Sequence, residues 1–369
     1  MHRVLAATVA ASMVLTIPGS AQVRRNEQER PPSMTLEDYE PHSMLVTKES
    51  SIRKAKFPFI DVHGHQNLTR PDSVLDALVA EMDAMGLRTL VNLSGGSGER
   101  LAAQVRNANS KYPGRFAVFA NIDFNTIDQP DFGRRAAAQL ERDVREGGAV
   151  GLKIFKNLGM DTYWPDGSRV RTDDERLAPI WDMAGRLGIP VLIHTAEPPA
   201  FFQPVDEHNE RYLELFMFPS RARPADKYPP FDSLMAEQHR MFRNHPNTAF
   251  ISAHLSWLGQ DLQRLGNLLD SIPNMYVEVA AALYEIGRQP KAGREFFIKY
   301  QDRILMGKDT FGGQDEFAVY FRILESADEY FSWYRKRHAF WGMYGLALPD
   351  EVLQKVYFEN AARLVPGIR

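Results

Sequence analysis

The chain has 369 residues and contains no cysteine. It can therefore form neither a disulfide framework nor a cysteine-based metal site. Any transition-metal site has to use histidine, carboxylate or modified lysine ligands. A free thiol is a liability in an oxidising compartment, so the absence of cysteine is compatible with an exported protein.

The chain also lacks a strong excess of one charge. Its formal net charge is −3 and no dense basic stretch occurs, so the composition predicts no nucleic-acid partner. Hydrophobic residues make up 44% and charged residues 25% of the sequence, a balance typical of globular domains with a substantial core.

Long hydrophobic runs are missing after the N-terminus. A short basic start precedes an apolar stretch from Val4 to Pro18, and small residues then lead to a cleavage point after Ala21. A signal peptide over 1–21 and an uncleaved membrane anchor are the two interpretations. The run of about 15 residues is short for a membrane span, which favours export to the periplasm or medium without stable membrane association after cleavage.

Residues 22–56 are rich in Pro, Arg, Glu and Ser and predict an extended arm before the fold. From Phe57 onward, strand-like apolar runs alternate with helical patterns. The strand candidates are 57–62, 88–93, 116–122, 149–155, 189–193, 247–253, 274–279 and 303–307.

Two helices between these strands have clear ends. A helical apolar pattern from Val74 to Met85 stops at Gly86, and a second, from Leu177 to Leu187, stops at Gly188. Thr172 and Glu175 have the spacing of a capping box before the second helix.

Eight strands separated by helices imply parallel pairing, and eight strands close a barrel. An open doubly wound sheet is the competing fold, but it usually has a glycine-rich phosphate turn after its first strand, where this chain has His63-Gly64-His65. The expected fold is an α/β (β/α)8 TIM barrel over 57–369, with the arm before it and extra C-terminal helices. Two long segments exceed what a barrel needs, 197–232 and 311–348. The second is dense in aromatic residues and is expected to form helices that pack against the barrel, and some of its rings are candidates for lining a substrate cleft.

Polar residues suited to metal binding stand at the ends of the apolar runs. His63 and His65, two residues apart, project to the same side of an extended strand and can reach one ion at about 2.0–2.1 Å. His194, His254 and Asp309 end three later runs, and all such positions meet at the C-terminal face of a barrel.

This series of residues resembles the amidohydrolase superfamily. The residues that show this resemblance are Asp61-Val62-His63-Gly64-His65, Lys153, His194, His254 and the run from Asp302 to Asp309. The closing Asn360-Ala361-Ala362-Arg363-Leu364 is similar to the terminal motif of the "amidohydrolase-related" branch. That branch contains metal-dependent TIM-barrel hydrolases, lactonases and non-oxidative decarboxylases. The resemblance covers residues 57–366.

The resemblance implies a metal site formed by His63, His65, His194 and Asp309. Three histidines and a carboxylate suit Zn²⁺, with Mn²⁺ and Fe²⁺ as alternatives, and one or two ions are expected. The metal would lower the pKa of bound water towards about 7, and Asp309 would then act as the general base.

Lys153 and His254 each have two functional interpretations. Alternation along the fourth strand directs Lys153 into the barrel, where it is either carbamylated and bridges two metal ions or stays an amine paired with Asp309 or a substrate carboxylate. His254 binds a second ion, or it polarises the substrate or donates a proton to it in a one-metal site.

Four further residues are candidates for substrate contact or for support of the ligands. Glu197 follows His194 closely, and Glu278 on the seventh strand is expected to pair with a ligand histidine or with Lys308. Lys308 stands where the family usually has threonine, which favours an anionic substrate. Arg211 lies in the long loop 197–232.

Three functions follow, all with a small-molecule partner. The first is hydrolysis of a lactone, ester or amide by metal-activated water, and the second is metal-dependent decarboxylation of a small organic acid. The third is a metal- or ligand-binding barrel without turnover. Related barrels often pair, so a homodimer is a further expectation.

Overall fold

The computed structural model describes residues 32–368. Two compact units are distinguished, Met1–His42 and Ser43–Arg369. The described part of the first unit has one turn, in which the Thr35 hydroxyl donates to Asp38 at 2.8 Å. The predicted signal peptide lies outside the described residues.

The second unit contains nine parallel strands among its described residues. Their order along the chain is β1 Phe59–Gly64, β2 Leu87–Asn92, β3 Phe116–Val118, β4 Ala120–Asn121, β5 Leu152–Ile154, β6 Val191–Ile193, β7 Phe250–Ser252, β8 Met275–Glu278 and β9 Ile304–Leu305. β1 to β3 form one sheet and β4 to β9 another, each in sequence order. Only Phe119 separates β3 from β4, so the strands correspond to the eight predicted ones.

Backbone hydrogen bonds connect the two sheets at both edges. The Val150 N–H, shortly before β5, donates to the Val118 carbonyl of β3 at 3.0 Å. At the other edge, the Val62 N–H donates to the Met306 carbonyl at 3.0 Å and joins β1 to the chain beyond β9. The last strand thus lies beside the first, as the predicted TIM-barrel architecture requires.

Helices separate the strands along the chain. Their bounds are α1 Asp72–Met85, α2 Gly98–Lys111, α3 Phe132–Arg145, α4 Asn157–Met160, α5 Ala178–Leu187, α6 Tyr212–Met217, α7 Phe231–Asn244, α8 Leu262–Ser271, α9 Leu283–Gly287, α10 Pro290–Lys299, α11 Gln314–Glu325, α12 Asp350–Gln354 and α13 Asn360–Leu364. Short 3-10 turns cover Phe124–Thr126, Glu175–Leu177, Pro199–Phe202 and Pro219–Arg221, and a π turn covers Lys355–Glu359.

The helix ends test the local predictions. α1 and α5 end as predicted at Gly86 and Gly188, which adopt left-handed φ values of 84° and 66°. The predicted capping box is wrong, because Thr172 is buried and its hydroxyl has no partner within residues 32–368. Asp174 caps this helical segment instead, accepting the Arg176 N–H at 3.0 Å.

Two apolar clusters form the core. The larger lies between strands and helices and includes Leu152 and Ile154, which flank Lys153. The smaller consists mainly of strand residues that fill the barrel interior, such as Leu192 and Ile251. Residues 361–368 contribute to it, and the Asn360 amide bonds the Ile304 carbonyl at the start of β9, so the C-terminal helix lies at the end of the barrel opposite the strand C-termini.

Of the segments outside the barrel strands and helices, 43–58 is irregular and 311–348 differs from the prediction. Residues 43–58 contain no helix or strand, and the Ser50 hydroxyl donates to Asp328 at 2.8 Å. Helical packing was expected for 311–348, but helix covers only Gln314–Glu325 there, and the rest is irregular. Within residues 32–368, no helix is both long and apolar enough to cross a bilayer.

Candidate metal centre and substrate site

Three histidines at the C-terminal ends of the strands are held in the same way. Their Nδ1 atoms face Glu278 Oε1 for His63, Ser94 Oγ for His65 and the Ala280 carbonyl for His254, each at 2.8 Å. Because a carboxylate and a carbonyl only accept, His63 and His254 must donate from Nδ1. Their Nε2 lone pairs are then available to a metal.

Glu278, at the end of β8, organises this arrangement. It is fully buried and accepts from His63 Nδ1 and from the His254 N–H at 2.8 Å, as well as from the Ala280 N–H at 2.5 Å. Burial raises the pKa of Glu278, partly offset by His254 and these donors. The pairing of Glu278 with a ligand histidine, predicted from the sequence, is present in the structure.

Asp309 faces the same point from the loop after β9. Its Oδ1 lies 3.6 Å from His63 Nε2 and 3.5 Å from His65 Nε2. Burial alone would raise its pKa, but the neighbouring His63, His254, His65 and Lys153 outweigh this and lower the pKa to about 2. Asp309 is therefore a carboxylate at neutral pH.

His254 opens an unusual left-handed turn directly after β7. The φ values of His254, Leu255, Ser256 and Trp257 are 57°, 52°, 59° and 50°. In such a turn the first and fourth side chains lie together, and the His254 and Trp257 rings stack at 4.4 Å with 26° between their planes. Successive non-glycine residues in this region are strained, and such strain often marks functional sites.

His194 stands beside His254 at the end of β6. Its Nδ1 lies 3.2 Å from His254 Nε2, and its buried Nε2 has no hydrogen-bond partner within residues 32–368. Glu197 is 3.9 Å from that Nε2 and is held by Lys156 at 2.5 Å and Arg223 at 2.9 Å. Glu197 is therefore a fixed, charge-paired side chain next to His194.

Burial favours the neutral form of His63, His65 and His194. It lowers the pKa of His63 and His194 well below the usual value and that of His65 to about 4, and the Lys153 charge lowers all three further. Neutral imidazole is the form that binds a metal.

Lys153 projects into the barrel, as strand alternation predicted. It is 1% exposed, and its Nζ has no hydrogen-bond partner in the described part of the chain. The expected direct pair with Asp309 is therefore not formed. Burial lowers the pKa of Lys153 to about 8, against the opposing influence of Asp309 and Glu278. The Phe155 ring lies 5.6 Å from the Nζ.

Lys308 does not pair with Glu278, and of the two partners expected for Glu278 the ligand histidine is the one observed. Its Nζ contacts Glu316 at 2.5 Å, and the Thr310 carbonyl and Tyr334 hydroxyl at 3.1 Å. These three partners use its three protons. Lys308 therefore anchors the segment after β9.

Arg211 is buried in a cluster above the barrel. It donates to the Tyr284 hydroxyl at 2.6 Å and contacts Glu214, while its Nε has no partner within residues 32–368. No contact of Arg211 with the candidate ligands is observed among the described residues. Its part in substrate binding remains a prediction.

Sequence reasoning missed three residues that shape the site. Asp61 accepts from the His63 N–H at 2.9 Å and the Lys308 N–H at 3.0 Å, and thereby ties β1 to the last strand. Ser94 orients His65, and the half-exposed Phe155 lies 5.9 Å from the His65 ring. The position of Ser94 just after β2, at the functional end of the barrel, was the available signal.

The donor set fits a divalent metal ion. One ligand atom each of His63, His254 and Asp309 lies within 4.8 Å of the others, and the Nε2 of His65 adjoins the same carboxylate oxygen. Imidazole nitrogens and a carboxylate oxygen suit zinc, manganese or iron. His254 belongs to this compact group, whereas the sequence placed His194 among the first ligands.

A family model described as "Amidohydrolase" matches residues 60–367, which is most of the chain. No curated protein sequence matches the chain.

Several solved structures have the same fold. A 2,6-dihydroxybenzoate decarboxylase from Rhizobium is 17% identical, with a TM-score of 0.52 and coverage of 84% of this chain and 98% of that chain. A putative amidohydrolase from Staphylococcus aureus is 16% identical, with a TM-score of 0.53 and coverage of 84% and 99%. A 5-carboxyvanillate decarboxylase from Novosphingobium aromaticivorans, complexed with manganese and a nitrobenzoic acid, is 13% identical, with a TM-score of 0.52 and coverage of 86% and 99%. At these identities the likeness shows the fold alone.

Proposed function

The chain belongs to the amidohydrolase family, and we propose that it is a metal-dependent decarboxylase acting on a small, unsaturated organic acid. The sequence expectation placed hydrolysis first and decarboxylation second. The structural relatives named as decarboxylases support the second function better than the first. A manganese-containing relative also makes Mn²⁺ as reasonable a candidate as Zn²⁺.

The observation that carries this proposal is the Lys153 amine. It is buried, its Nζ has no hydrogen-bond partner among residues 32–368, and its charge acts on the pKa values of His63, His65 and His194. An unpaired buried ammonium is costly, and a substrate carboxylate beside it would offset much of that cost. Lys153 would thus select an acid and hold it at the ligand histidines.

The surrounding residues would divide the remaining tasks. His63, His65, His194 and Asp309 would hold the metal, which leaves His254 Nε2 for the substrate. A divalent ion bound there supplies an electrophile that withdraws electron density from a substrate oxygen. Phe155, whose ring lies near both Lys153 and His65, offers an aromatic face against which an unsaturated acid could stack.

His254 would supply the proton. When the bond between the carboxyl group and the adjacent carbon breaks, the electron pair stays on that carbon and CO₂ leaves. The carbon then needs one proton. Because His254 Nδ1 donates to Ala280, Nε2 is the atom that can deliver it, and Glu278, 3.9 Å from Nδ1, would stabilise the charged ring.

The test is product analysis with the metal-loaded protein and a panel of hydroxybenzoic acids, esters and lactones. We expect CO₂ release from an acid and, in heavy water, one deuteron at the vacated carbon. Lys153→Met should lower kcat/KM by about 10- to 100-fold, the effect of losing one charged hydrogen bond. The control Lys299→Met removes an exposed lysine that pairs with Asp270 outside the site, and it should retain full activity.

Other outcomes would overturn the proposal. Ester or lactone cleavage without CO₂ release would establish the hydrolase, with Asp309 as its base. A fully metal-loaded protein that turns over no member of the panel would support the binding barrel instead.

A binuclear hydrolase is the second candidate, and the same lysine favours it. With its pKa lowered to about 8, Lys153 has a neutral fraction that can react with CO₂ to form a carbamate. Metal content per chain, measured with and without bicarbonate, separates the two. Two ions that depend on bicarbonate would indicate the carbamate, and one ion regardless of bicarbonate would indicate the amine.

A further inference from the structure

A cavity of about 520 Å³, lined mainly by residues with polar side chains, adjoins the candidate metal centre. It lies between the loops that follow β1 and β2, and its wall includes His65 and Ser94. This volume falls within the range of small-molecule sites. His65 therefore belongs both to the metal centre and to the cavity wall, because its Nε2 faces Asp309 and its Nδ1 faces Ser94.

Arg100 gives this cavity its charge. It is the one charged side chain among the described lining residues, and no carboxylate lines the cavity. Arg100 makes no hydrogen bond or ion pair with any residue from 32 to 368, whereas its neighbour Glu99 is engaged by Arg106 at 2.5 Å. A guanidinium left without a partner beside a cavity is suited to a bidentate anion contact.

The Arg100 stem packs against the loop that follows β2. Gly96 has a φ of 79°, and a β-carbon added there would come within 2.9 Å of Arg100 Cδ. The arginine stem therefore lies against a glycine that no larger residue could replace without moving it.

The remaining lining residues supply further donors. The Gln66 carboxamide makes no hydrogen bond within the described chain. The side chain of Asn67 uses only its oxygen, which accepts from Thr69, so its amide nitrogen is also without a partner among the described residues. Ala103 is the single apolar side chain of the lining. A cavity lined by an unpaired guanidinium and by free amide donors offers an acidic group several hydrogen-bond partners.

We infer that this cavity is a specificity subsite that binds a second carboxylate of the substrate, with Arg100 as its ionic contact. The inference rests on the proposed function and narrows its substrate class to diacids. One carboxylate would pair with Lys153 at the ligand histidines, and the other would extend past His65 to Arg100. Ser94, which contacts His65 and lines the cavity, would lie beside the substrate between its two carboxylates.

The test uses two compounds that differ by one carboxylate, 2-hydroxybenzoate and 4-hydroxybenzene-1,3-dicarboxylate. In the metal-loaded protein, Arg100→Gln should raise KM for the diacid by about 10- to 100-fold, the effect of one charged hydrogen-bonded pair. We expect its kcat for the diacid, and both constants for the monoacid, to change less than about threefold. The KM of Arg100→Lys for the diacid should fall between those of the wild type and Arg100→Gln, because lysine keeps the charge and loses the planar guanidinium.

Arg88→Gln is the matched control. Arg88 is also exposed, but it lies near the start of β2, at the opposite end of the strand from the cavity. This variant should bind both compounds as the wild type does. Equal losses for monoacid and diacid in Arg100→Gln, or no loss for either, would overturn the inference.

Calorimetric binding of the diacid separates this inference from the proposed function. If no acid is decarboxylated but diacid binding still depends on Arg100, the lyase proposal fails and the subsite stands. If an acid is decarboxylated and Arg100→Gln leaves diacid binding unchanged, the subsite fails and the lyase proposal stands.

Discussion

Replacement of Glu278 by glutamine tests the support of the metal ligands. The carboxylate accepts from three donors, His63 Nδ1 and the backbone N–H groups of His254 and Ala280. A glutamine that keeps its oxygen at the first two contacts turns its amide nitrogen towards the Ala280 N–H, so two donors face each other. The charge that makes His63 a better ligand is also lost.

The expected loss of metal affinity and of metal-dependent stability follows from the role of Glu278 behind His63. Loss of a partner behind a ligand histidine typically weakens metal binding by about 10- to 100-fold, or about 1.4–2.7 kcal/mol. At a free metal concentration about 1,000 times the wild-type Kd, the metal stabilises the wild type by about 4.1 kcal/mol. A 30-fold weaker variant gains only about 2 kcal/mol under the same conditions.

The metal-free protein should respond less. An unsatisfied N–H at Ala280 costs about 1–3 kcal/mol. Burial raises the pKa of Glu278, however, which means that the ionised group is itself unfavourable there, and its removal offsets part of this cost. The loss in Glu278→Gln should therefore appear mainly in the metal-dependent part of the unfolding free energy.

Urea unfolding with and without metal, together with chelator competition, measures both quantities. Glu325→Gln is the control, because Glu325 accepts from the Lys56 N–H at 3.0 Å and the Tyr357 hydroxyl at 2.8 Å and contacts no candidate ligand. It should leave metal affinity unchanged. Wild-type metal affinity in Glu278→Gln would refute the assigned role of Glu278.

Three other predictions concern stability and processing. Burial lowers the pKa of His239 to about 3. Because this pKa lies below the value near 6.5 in the unfolded chain, the folded protein binds the proton less readily, and folding stability falls as the pH drops below about 6.5. His239 should therefore account for about 2 kcal/mol of the fall in unfolding free energy between pH 7 and pH 5. His239→Gln should remove that share in urea titrations, and an unchanged pH dependence would contradict this account. Phe250→Ala should lower the unfolding free energy by about 3–5 kcal/mol, since its buried ring stacks on Phe242 at 4.5 Å, and a loss below 1 kcal/mol would show that the site collapses without a cavity. Mass spectrometry of protein exported by a bacterial host should find an N-terminus at Gln22, and an intact Met1 would favour the anchor.

Much of the barrel could be predicted from the sequence because its signals are local. All eight predicted strand runs overlap observed strands, since buried parallel strands read as short continuous apolar runs. Alternation within β5 also placed Lys153 inside the barrel correctly. Helix packing was expected for 311–348, but most of this segment is irregular and held by side-chain contacts that no local period encodes.

The site was predictable as a set of residues and less so as a set of contacts. Strand ends identified His63, His65, His254 and Asp309, because all parallel strands end on one face. The partner of Lys308 could not be predicted, since strand alternation does not reveal that its amine turns to Glu316 on a later helix. The left-handed turn at His254 has no glycine to signal it, so only the three-dimensional structure shows that His254 and Trp257 stack.

This turn has a consequence for how the protein would lose activity. Four left-handed residues are unfavourable by about 1–2 kcal/mol each, so the surrounding fold must hold the turn in place. Loosening of the neighbouring packing would let it relax to ordinary backbone angles and carry His254 out of position while the barrel persists. Under mild denaturant, inactivation should then precede global unfolding, and the emission of Trp257, one of five tryptophans, would report the separation of the two rings.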